Sequence, residues 1–153
     1  MRLKPCCRWL TQENILLKTP DDHLNIKITD FGLSHCRAGG IGSGDMLQSK
    51  CGTPMYMAPE VHQGKAYTES VDVWAIGVIL YILLSGTLPF FAETSQDFVE
   101  AVVVANYEFP DEEWADVSDQ GLDLIERILV VDPAERATID QILSHPWILE
   151  NTS

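Results

Sequence analysis

The sequence predicts a mainly α-helical domain with a small β-hairpin near its N-terminus. Two short β-prone runs, residues 14–17 and 26–29, flank a cluster of turn-forming residues at 19–23, which is the pattern of a hairpin. Beyond residue 68, capping residues and helical spacing of apolar side chains predict four helices. The chain has 153 residues, a length that fits one domain with a buried core.

The first predicted helix covers residues 69–84 and contains the longest apolar run of the chain. This run, residues 73–84, has 12 residues and is too short to cross a membrane, which takes roughly 20. A helix that is apolar on every side belongs in the middle of a protein core. Ser85 and Gly86 are expected to end it.

The second predicted helix begins after a capping residue, Thr94 or Ser95, and runs to about Ala105. Residues 106–117 are acidic and are predicted to be irregular. Trp114 is expected to anchor this irregular stretch in the core.

Two further helices are predicted nearer the C-terminus. Ser118 can cap a helix at residues 119–130, and the Asp-Pro pair at 132–133 is expected to break it. Residues 138–141 have the capping-box form, so the last helix should begin there. It should end before His145, because Pro146 disfavours helical geometry at the residue ahead of it.

The charge of the chain is uneven. The net charge is −13, and residues 66–153 hold two basic and seventeen acidic residues. Such an acidic half repels phosphate backbones, which argues against a nucleic-acid partner. The acidic half either attracts basic partners or forms a solvated, solubilising surface. The second alternative is favoured, because no acidic run is long enough to be a tail.

The four cysteines predict an intracellular location, in cytoplasm or nucleus. Cys6, Cys7, Cys36 and Cys51 include no C-x-x-C pair and do not resemble a disulfide framework. The basic N-terminus is not followed by an apolar stretch, so it does not predict a signal peptide. Neither a membrane span nor a membrane partner is expected.

Asp30 is the strongest candidate for a metal-binding residue. It follows the second hairpin run, and a carboxylate at such a strand end can hold a divalent metal. Asn14, at the start of the first run, can supply a second oxygen ligand. The alternative is that Asp30 only caps its own turn. His62 and His145 are expected to be packed or solvent-facing rather than metal ligands.

Several motifs follow one another in a fixed order. They are Asp30-Phe31-Gly32, Cys51-Gly52-Thr53-Pro54-Met55-Tyr56-Met57-Ala58-Pro59-Glu60, Asp72-Val73-Trp74-Ala75-Ile76-Gly77, Leu88-Pro89-Phe90, Asp132-Pro133-Ala134-Glu135-Arg136-Ala137-Thr138 and His145-Pro146-Trp147. In this order and spacing the set resembles the C-terminal lobe of eukaryotic protein kinases, over about residues 13–149. The stretch ending at Ala-Pro-Glu is similar to the Ser/Thr branch. Residues 122–133 and 145–147 resemble the calcium/calmodulin-dependent kinase group and, within it, checkpoint kinase 2 relatives.

This resemblance implies a protein kinase-like fold, C-terminal lobe only, and a family activity of ATP-dependent phosphate transfer to Ser or Thr of a protein substrate. It implies that Asp30 would hold the Mg²⁺ that bridges the ATP phosphates and Asn14 the second Mg²⁺. Residues 33–60 would form the activation segment. Thr53 would lie near the substrate, and Ser49 is either a phosphorylation site or an ordinary loop serine.

The resemblance also implies structural roles. A phosphate on Ser49 would pair with Arg8, and Asp72 would bind the backbone of the catalytic loop. Glu60 would form a buried ion pair with Arg136. The alternative is that Arg136 is a surface residue after a proline turn.

The catalytic loop departs from the family's pattern at the positions that matter most. Trp9 stands where the family has its aspartate base, Thr11 where it has a lysine, and Cys7 where it has a histidine. An indole has an N–H donor and no basic site. A general base contributes roughly 10²- to 10⁴-fold to a rate, so its loss alone would be severe. With these three positions changed, no catalytic group is expected to be intact. Residues 1–12 also hold no glycine loop, strand lysine or helix glutamate to cover ATP.

We therefore expect a divergent or foreign segment at residues 1–12, a partial kinase domain at 13–149 and a tail at 150–153. The chain as written is predicted to be truncated and inactive, with doubtful binding of ATP and Mg²⁺. Three hypotheses remain open: a Ser/Thr kinase whose N-terminal part is missing, a catalytically dead protein-binding module of the pseudokinase type, and a fragment without function. The first two imply a protein as substrate or partner.

Overall fold

The computed structural model describes residues 10–19, 25–30 and 53–152, together with the backbone of residues 5–6 and 35–36. Its strands form two antiparallel pairs. The strands are β1 (Pro5–Cys6), β2 (Ile15–Leu17), β3 (Ile26–Ile28) and β4 (His35–Cys36). β1 pairs with β4, and β2 pairs with β3. The β2–β3 pair is the hairpin that the sequence predicts.

The hairpin pairing continues one residue beyond the strands at each end. The N–H of Lys18 donates to the carbonyl of Asn25, with an N···O distance of 2.9 Å. At the other end the N–H of Thr29 donates to the carbonyl of Asn14, also at 2.9 Å. The predicted hairpin is therefore confirmed, with its open end at Asn14 and Thr29.

The other regular elements of the described chain are helices. Short 3₁₀ helices lie at Gln12–Asn14 and Pro54–Tyr56. The α-helices are α1 (Pro59–His62), α2 (Ser70–Ser85), α3 (Ser95–Val103), α4 (Asp111–Trp114), α5 (Asp119–Ile128), α6 (Ile139–Leu143) and α7 (Pro146–Asn151). The mainly α-helical fold with a hairpin near the N-terminus is thus confirmed.

Helix α2 lies at the centre of the core. Trp74 and Val78 are completely buried, and the helix lies within one residue of its predicted bounds at each end. Gly86 ends it in the left-handed conformation, with φ of 74°. The helix is not buried on every side, since Leu83 is 65% exposed. No helix of the described residues is both long enough and apolar enough to cross a membrane.

The predicted caps are present. The Thr94 hydroxyl accepts from the N–H of Asp97 at 3.1 Å and begins α3. Ser118 begins α5 in the same way. Thr138 and Gln141 form the complete capping box of α6, each side chain accepting from the backbone N–H of the other. Because these bonds satisfy otherwise unpaired N–H groups, local sequence sets where the helices start.

Three short helices, α1, α4 and α7, were not expected from the sequence. Residues 106–117 are not wholly irregular, because α4 forms within them, and its first turn holds three acidic residues that suit the positive end of a helix. Helix α7 begins at Pro146, a residue that fits the first helical position. The predicted end of α5 was also wrong, since the helix stops at Ile128 rather than at residue 130.

An aromatic cluster holds the acidic stretch against α2, as expected for Trp114. The Trp114 side chain is 4% exposed, and its ring centroid lies 4.6 Å from that of Tyr81. The Tyr81 hydroxyl donates to the carbonyl of Glu108 at 2.7 Å. Phe109 contacts both rings. Burial followed by the charge of Glu126 raises the pKa of neighbouring Tyr107 to about 12, so this phenol is neutral at physiological pH.

Gly77 allows α2 to approach the C-terminal end of α5 closely. A Cβ atom at this position would lie 2.5 Å from Cγ2 of Ile128 and 2.8 Å from Cδ2 of Leu129. Ile128 is completely buried and Leu129 nearly so, so neither side chain has free space to move into.

We expect Gly77→Ala to lower the free energy of unfolding by about 1–3 kcal/mol, because the added methyl group overpacks this contact. Urea unfolding followed by circular dichroism measures the change. Leu83→Ala is the control, since Leu83 lies on the same helix but is 65% exposed. An unchanged stability of Gly77→Ala would contradict the close packing of α2 on α5.

His145 connects α5 to α7. Its Nε2 lies 2.9 Å from Oδ2 of Asp123, and its Nδ1 accepts from the N–H of Trp147 at 3.3 Å. Asp123 also accepts from Nε of Arg127 at 2.8 Å. These two partners, Arg127 first and His145 second, lower the pKa of Asp123 from 3.8. His145 is therefore packed, which is one of the two outcomes predicted for it, packed or solvent-facing.

Asp123→Asn should remove an acid-dependent part of the stability. Because folding lowers the pKa of Asp123, its contribution is present above the unfolded-state pKa and is lost as the pH falls through the folded-state pKa. The difference in unfolding free energy between wild type and variant should therefore shrink from about pH 5 to about pH 2. It should be small, since the Asp123 side chain is 45% exposed. Urea unfolding across this range tests it, and a constant difference would contradict it.

Candidate functional site

Residues 10–14 form a tight loop ahead of the hairpin. Leu10 packs against the main core, and Thr11 is only 4% exposed. The N–H of Asn14 donates to the carbonyl of Thr11 at 3.1 Å, which closes the 3₁₀ turn Gln12–Asn14. The position at which the resemblance expects a lysine is therefore a buried, neutral hydroxyl.

Tyr56 connects this loop to the 3₁₀ helix Pro54–Tyr56. Its side chain is 7% exposed, and its hydroxyl lies near the Gln12 backbone. Burial, and secondly the charge of Glu13, raise the pKa of Tyr56, while the nearby Gln12 backbone opposes this. The tyrosine is therefore neutral, and it holds the loop of Thr11 beside the segment that follows Thr53.

The hairpin brings the two predicted metal ligands to the same end. Ile15 lies opposite Ile28, and the next pair outward is Asn14 and Thr29. The Thr29 hydroxyl also donates to the carbonyl of Asn14, at 3.3 Å. Asp30 follows directly, is exposed, and has a φ of 59°. A positive φ is uncommon for a residue other than glycine, although aspartate tolerates it better than most.

The donor chemistry at this end fits Mg²⁺. One carboxylate and one amide oxygen are hard oxygen donors, and Mg²⁺ commonly takes one or two carboxylates plus phosphate and water oxygens. Within the part of the chain that the structure describes, no group of three or more His, Cys, Asp or Glu side chains forms a metal site. Asn14 and Asp30 would therefore share the ion with a phosphate ligand rather than enclose it alone.

Residues 53–58 form an ordered segment between the loop and α1. Thr53 is exposed, and its carbonyl accepts from the N–H of Tyr56 at 3.1 Å. The carbonyl of Pro54 accepts from the N–H of Met57 at 3.2 Å. Ala58 is completely buried and leads into α1. We call residues 53–58 the substrate-side segment, because the resemblance implies that Thr53 lies near the substrate and that residues 54–58 line the substrate side of the cleft.

Glu60 and Arg136 form a buried, bidentate ion pair. The distance from Nη1 of Arg136 to Oε1 of Glu60 is 2.9 Å, and that from Nη2 to Oε2 is 3.0 Å. The arginine side chain is 0% exposed and the glutamate side chain 5%. The two planar groups match in geometry, which is the strongest arrangement for such a pair. Arg136 is thus not a surface residue.

The remaining donors of Arg136 bind backbone carbonyls. Nη1 donates to Ser70 at 2.8 Å, Nε to Val130 at 3.0 Å and Nη2 to Val131 at 3.4 Å. All five N–H groups of the guanidinium therefore have acceptors. Cζ also lies 5.1 Å from the centroid of the Trp74 ring, within range of a cation–π contact. One side chain thus joins α1, the start of α2 and the turn after α5.

Not all predicted site residues can be placed. Arg8, Trp9 and Ser49 lie outside the described residues. Asp72 lies in the first turn of α2 and is half-buried. The resemblance links it to the backbone of the catalytic loop, of which residues 7–9 are likewise outside the described part.

Sequence reasoning missed two contacts of the substrate-side segment. One is the approach of the Tyr56 hydroxyl to the Gln12 backbone. The other is His62, whose Nε2 lies 3.1 Å from the carbonyl of Pro54. Both partners are backbone groups distant in sequence, so no residue pattern identifies them.

The fold, the ion pair and the hairpin end define a protein kinase lobe, and the family comparison agrees. The model of the protein kinase domain matches residues 7–148. The chain therefore belongs to the protein kinase family.

Its relatives are Ser/Thr kinases. The chain is 45% identical over 146 residues to myosin light chain kinase A of Dictyostelium discoideum. This alignment covers 95% of this chain and 48% of that protein. It is 44% identical over 142 residues to the serine/threonine-protein kinase H1 homolog of Danio rerio, covering 93% of this chain and 33% of that protein. The chain thus spans half or less of the length of these relatives. In general, protein kinases use ATP and Mg²⁺ and act on protein substrates.

Arg136→Met should lower the free energy of unfolding by about 3–5 kcal/mol, because it leaves the Glu60 carboxylate buried without its partner. The double variant Arg136→Met/Glu60→Leu should recover much of this loss, since it buries no lone charge. Urea unfolding measures both.

The matched control is Arg127→Met, which removes an arginine whose side chain is 62% exposed and should change stability little. Equal, small effects of Arg127→Met and Arg136→Met would contradict the buried ion pair.

Proposed function

We propose that this chain is the substrate-binding lobe of a Ser/Thr protein kinase and that, as it stands, it does not transfer phosphate. The proposed lack of phosphate transfer rests on the burial of Thr11, which is 4% exposed and by resemblance stands at the position of the family's lysine. A buried hydroxyl supplies no positive charge to a phosphoryl group in transfer.

The residue at the position of the catalytic base supports the same conclusion. By resemblance its position is Trp9, and an indole cannot accept the proton of a substrate hydroxyl. The acceptor of the hydroxyl proton and the positive charge near the transferred phosphate are thus both replaced by neutral side chains. The loss of a general base alone costs roughly 10²- to 10⁴-fold in rate.

The binding half of the proposal rests on the ordered parts of the site. The substrate-side segment is fixed by its own 3₁₀ bonds, by Tyr56 and by the Glu60–Arg136 pair directly behind it. A preorganised segment loses less conformational entropy when it binds a peptide. This arrangement also favours the alternative function, a protein-binding module of the pseudokinase type that holds a partner without chemistry.

Asn14 and Asp30 would hold Mg²⁺ together with the phosphates of ATP. The left-handed φ of Asp30 supports this, because such backbone conformations concentrate at functional sites. With two protein donors, we propose weak binding of Mg-ATP. Ser49 stays a candidate phosphorylation site whose phosphate would pair with Arg8.

The finer family placement is also a proposal. Residues 122–133 and the closing His145-Pro146-Trp147 support the calcium/calmodulin-dependent kinase group. The likeness to checkpoint kinase 2 rests on the same stretches. We also propose a divergent segment at residues 1–12, a partial kinase domain at 13–149 and a tail at 150–153. The family match begins at residue 7, so part of the first segment aligns with the family and differs in residue identity.

The purified chain, given Mg-ATP labelled in the γ-phosphate and a Ser-containing peptide, should transfer no phosphate above background. The measurement is radiolabel in the peptide, with an active Ser/Thr kinase under the same conditions as positive control. The double variant Trp9→Asp/Thr11→Lys is the matched test, because any transfer it gains over the wild type is due to these two positions.

Measurable turnover by the wild-type chain would contradict the proposal. A thermal-shift titration with Mg-ATP separates weak nucleotide binding from none. The shift should be small and should disappear in Asp30→Asn, because this variant removes the carboxylate proposed to hold the metal.

A further inference from the structure

His62, the last residue of α1, touches two other elements. Its Nε2 lies 3.1 Å from the carbonyl oxygen of Pro54 in the substrate-side segment. A carbonyl can only accept, so Nε2 must carry the hydrogen. The ring centroid lies 5.9 Å from that of Phe98 on α3, at an interplanar angle of 71°. This edge-to-face arrangement is a favourable one for aromatic rings.

The carbonyl of Pro54 has two donors. One is the N–H of Met57, which closes the 3₁₀ turn within the segment itself. The other, His62, belongs to α1 and is in turn packed on α3. The first bond gives the segment its local shape. The second fixes where that shape lies relative to the helices.

We propose that His62 is a positioning residue for the substrate-side segment. By holding the carbonyl of Pro54 against α1 and α3, it sets how Thr53 and Met57 face a bound Ser-containing peptide. This inference rests on the proposed function, because it takes residues 53–58 as the surface that contacts the peptide.

The location of His62 suits this role. The residue is half-buried and its ring packs on Phe98, which holds Nε2 at the carbonyl although the bond itself is exposed to solvent. Two backbone bonds lie in the same turn. The N–H of Tyr56 donates to the carbonyl of Thr53 at 3.1 Å, and the N–H of Met57 donates to that of Pro54 at 3.2 Å. Local opening of this turn should therefore become easier when the His62 bond is lost.

Hydrogen exchange of the Met57 amide tests the contact without any ligand. Loss of one hydrogen bond in His62→Leu should speed this exchange about fivefold. His62→Gln keeps an N–H donor of similar reach and should restore slow exchange. Phe98→Leu keeps the donor but removes the ring contact, and should give an intermediate rate. The exchange of amides within α2 is the internal control for intact folding.

Peptide affinity tests the positioning role. The probe is a fluorescein-labelled, Ser-containing peptide with flanking arginines, chosen because residues 66–153 are strongly acidic, and its Kd is measured by fluorescence anisotropy. His62→Leu should weaken binding about fivefold, and His62→Gln should restore it to within about twofold of the wild type.

The two measurements separate the possible failures. Unchanged Met57 exchange in His62→Leu would overturn the contact itself. Faster exchange with unchanged peptide affinity would overturn the positioning role. If the wild-type chain does not bind the peptide at all, the binding half of the proposed function fails, and the positioning role fails with it even where the exchange result holds.

Discussion

The pairing of Arg136 with Glu60 is the interaction on which the rest of the described structure depends. It is buried, bidentate and complete, since every N–H of the guanidinium has an acceptor. Its partners lie on α1, at the start of α2 and in the turn after α5. A buried pair of charges adds little stability over well-packed apolar groups, but it allows only one arrangement of the elements that carry its donors and acceptors. The ion pair therefore acts mainly by fixing where α1 lies on α2.

The position of α1 decides the position of the substrate-side segment. The segment leads directly into α1 through the buried Ala58, and His62 at the far end of the helix reaches back to Pro54. On its other side, the Tyr56 hydroxyl lies near the loop that carries Thr11. Three separate contacts thus hold a surface that a kinase would use to bind peptide. In the proposed function, the same loop carries neutral residues where the resemblance expects charged catalytic side chains, so binding geometry is kept where catalytic chemistry is not.

Local sequence signals predicted much of the fold. The caps at Thr94, Ser118 and Thr138 lie where expected, because a side chain that satisfies nearby N–H groups acts over three residues and needs no tertiary partner. Signals were weaker where two preferences compete. Pro146 was expected only to end a helix, yet it also begins α7, since a proline suits the first helical position as well as it stops the preceding one.

The sequence by itself determined the family, the hairpin, the helix starts and the pairing partners Glu60 and Arg136, because these follow from local backbone chemistry or from motifs in fixed order. The tertiary structure alone decided which backbone groups the site residues reach. Examples are the approach of the Tyr56 hydroxyl to the Gln12 backbone and the bonds from His62 to Pro54 and from Arg136 to Ser70, which join residues eight or more positions apart. A backbone carbonyl or N–H is the same at every residue, so no sequence pattern can mark it as a partner until the fold brings it within hydrogen-bond distance.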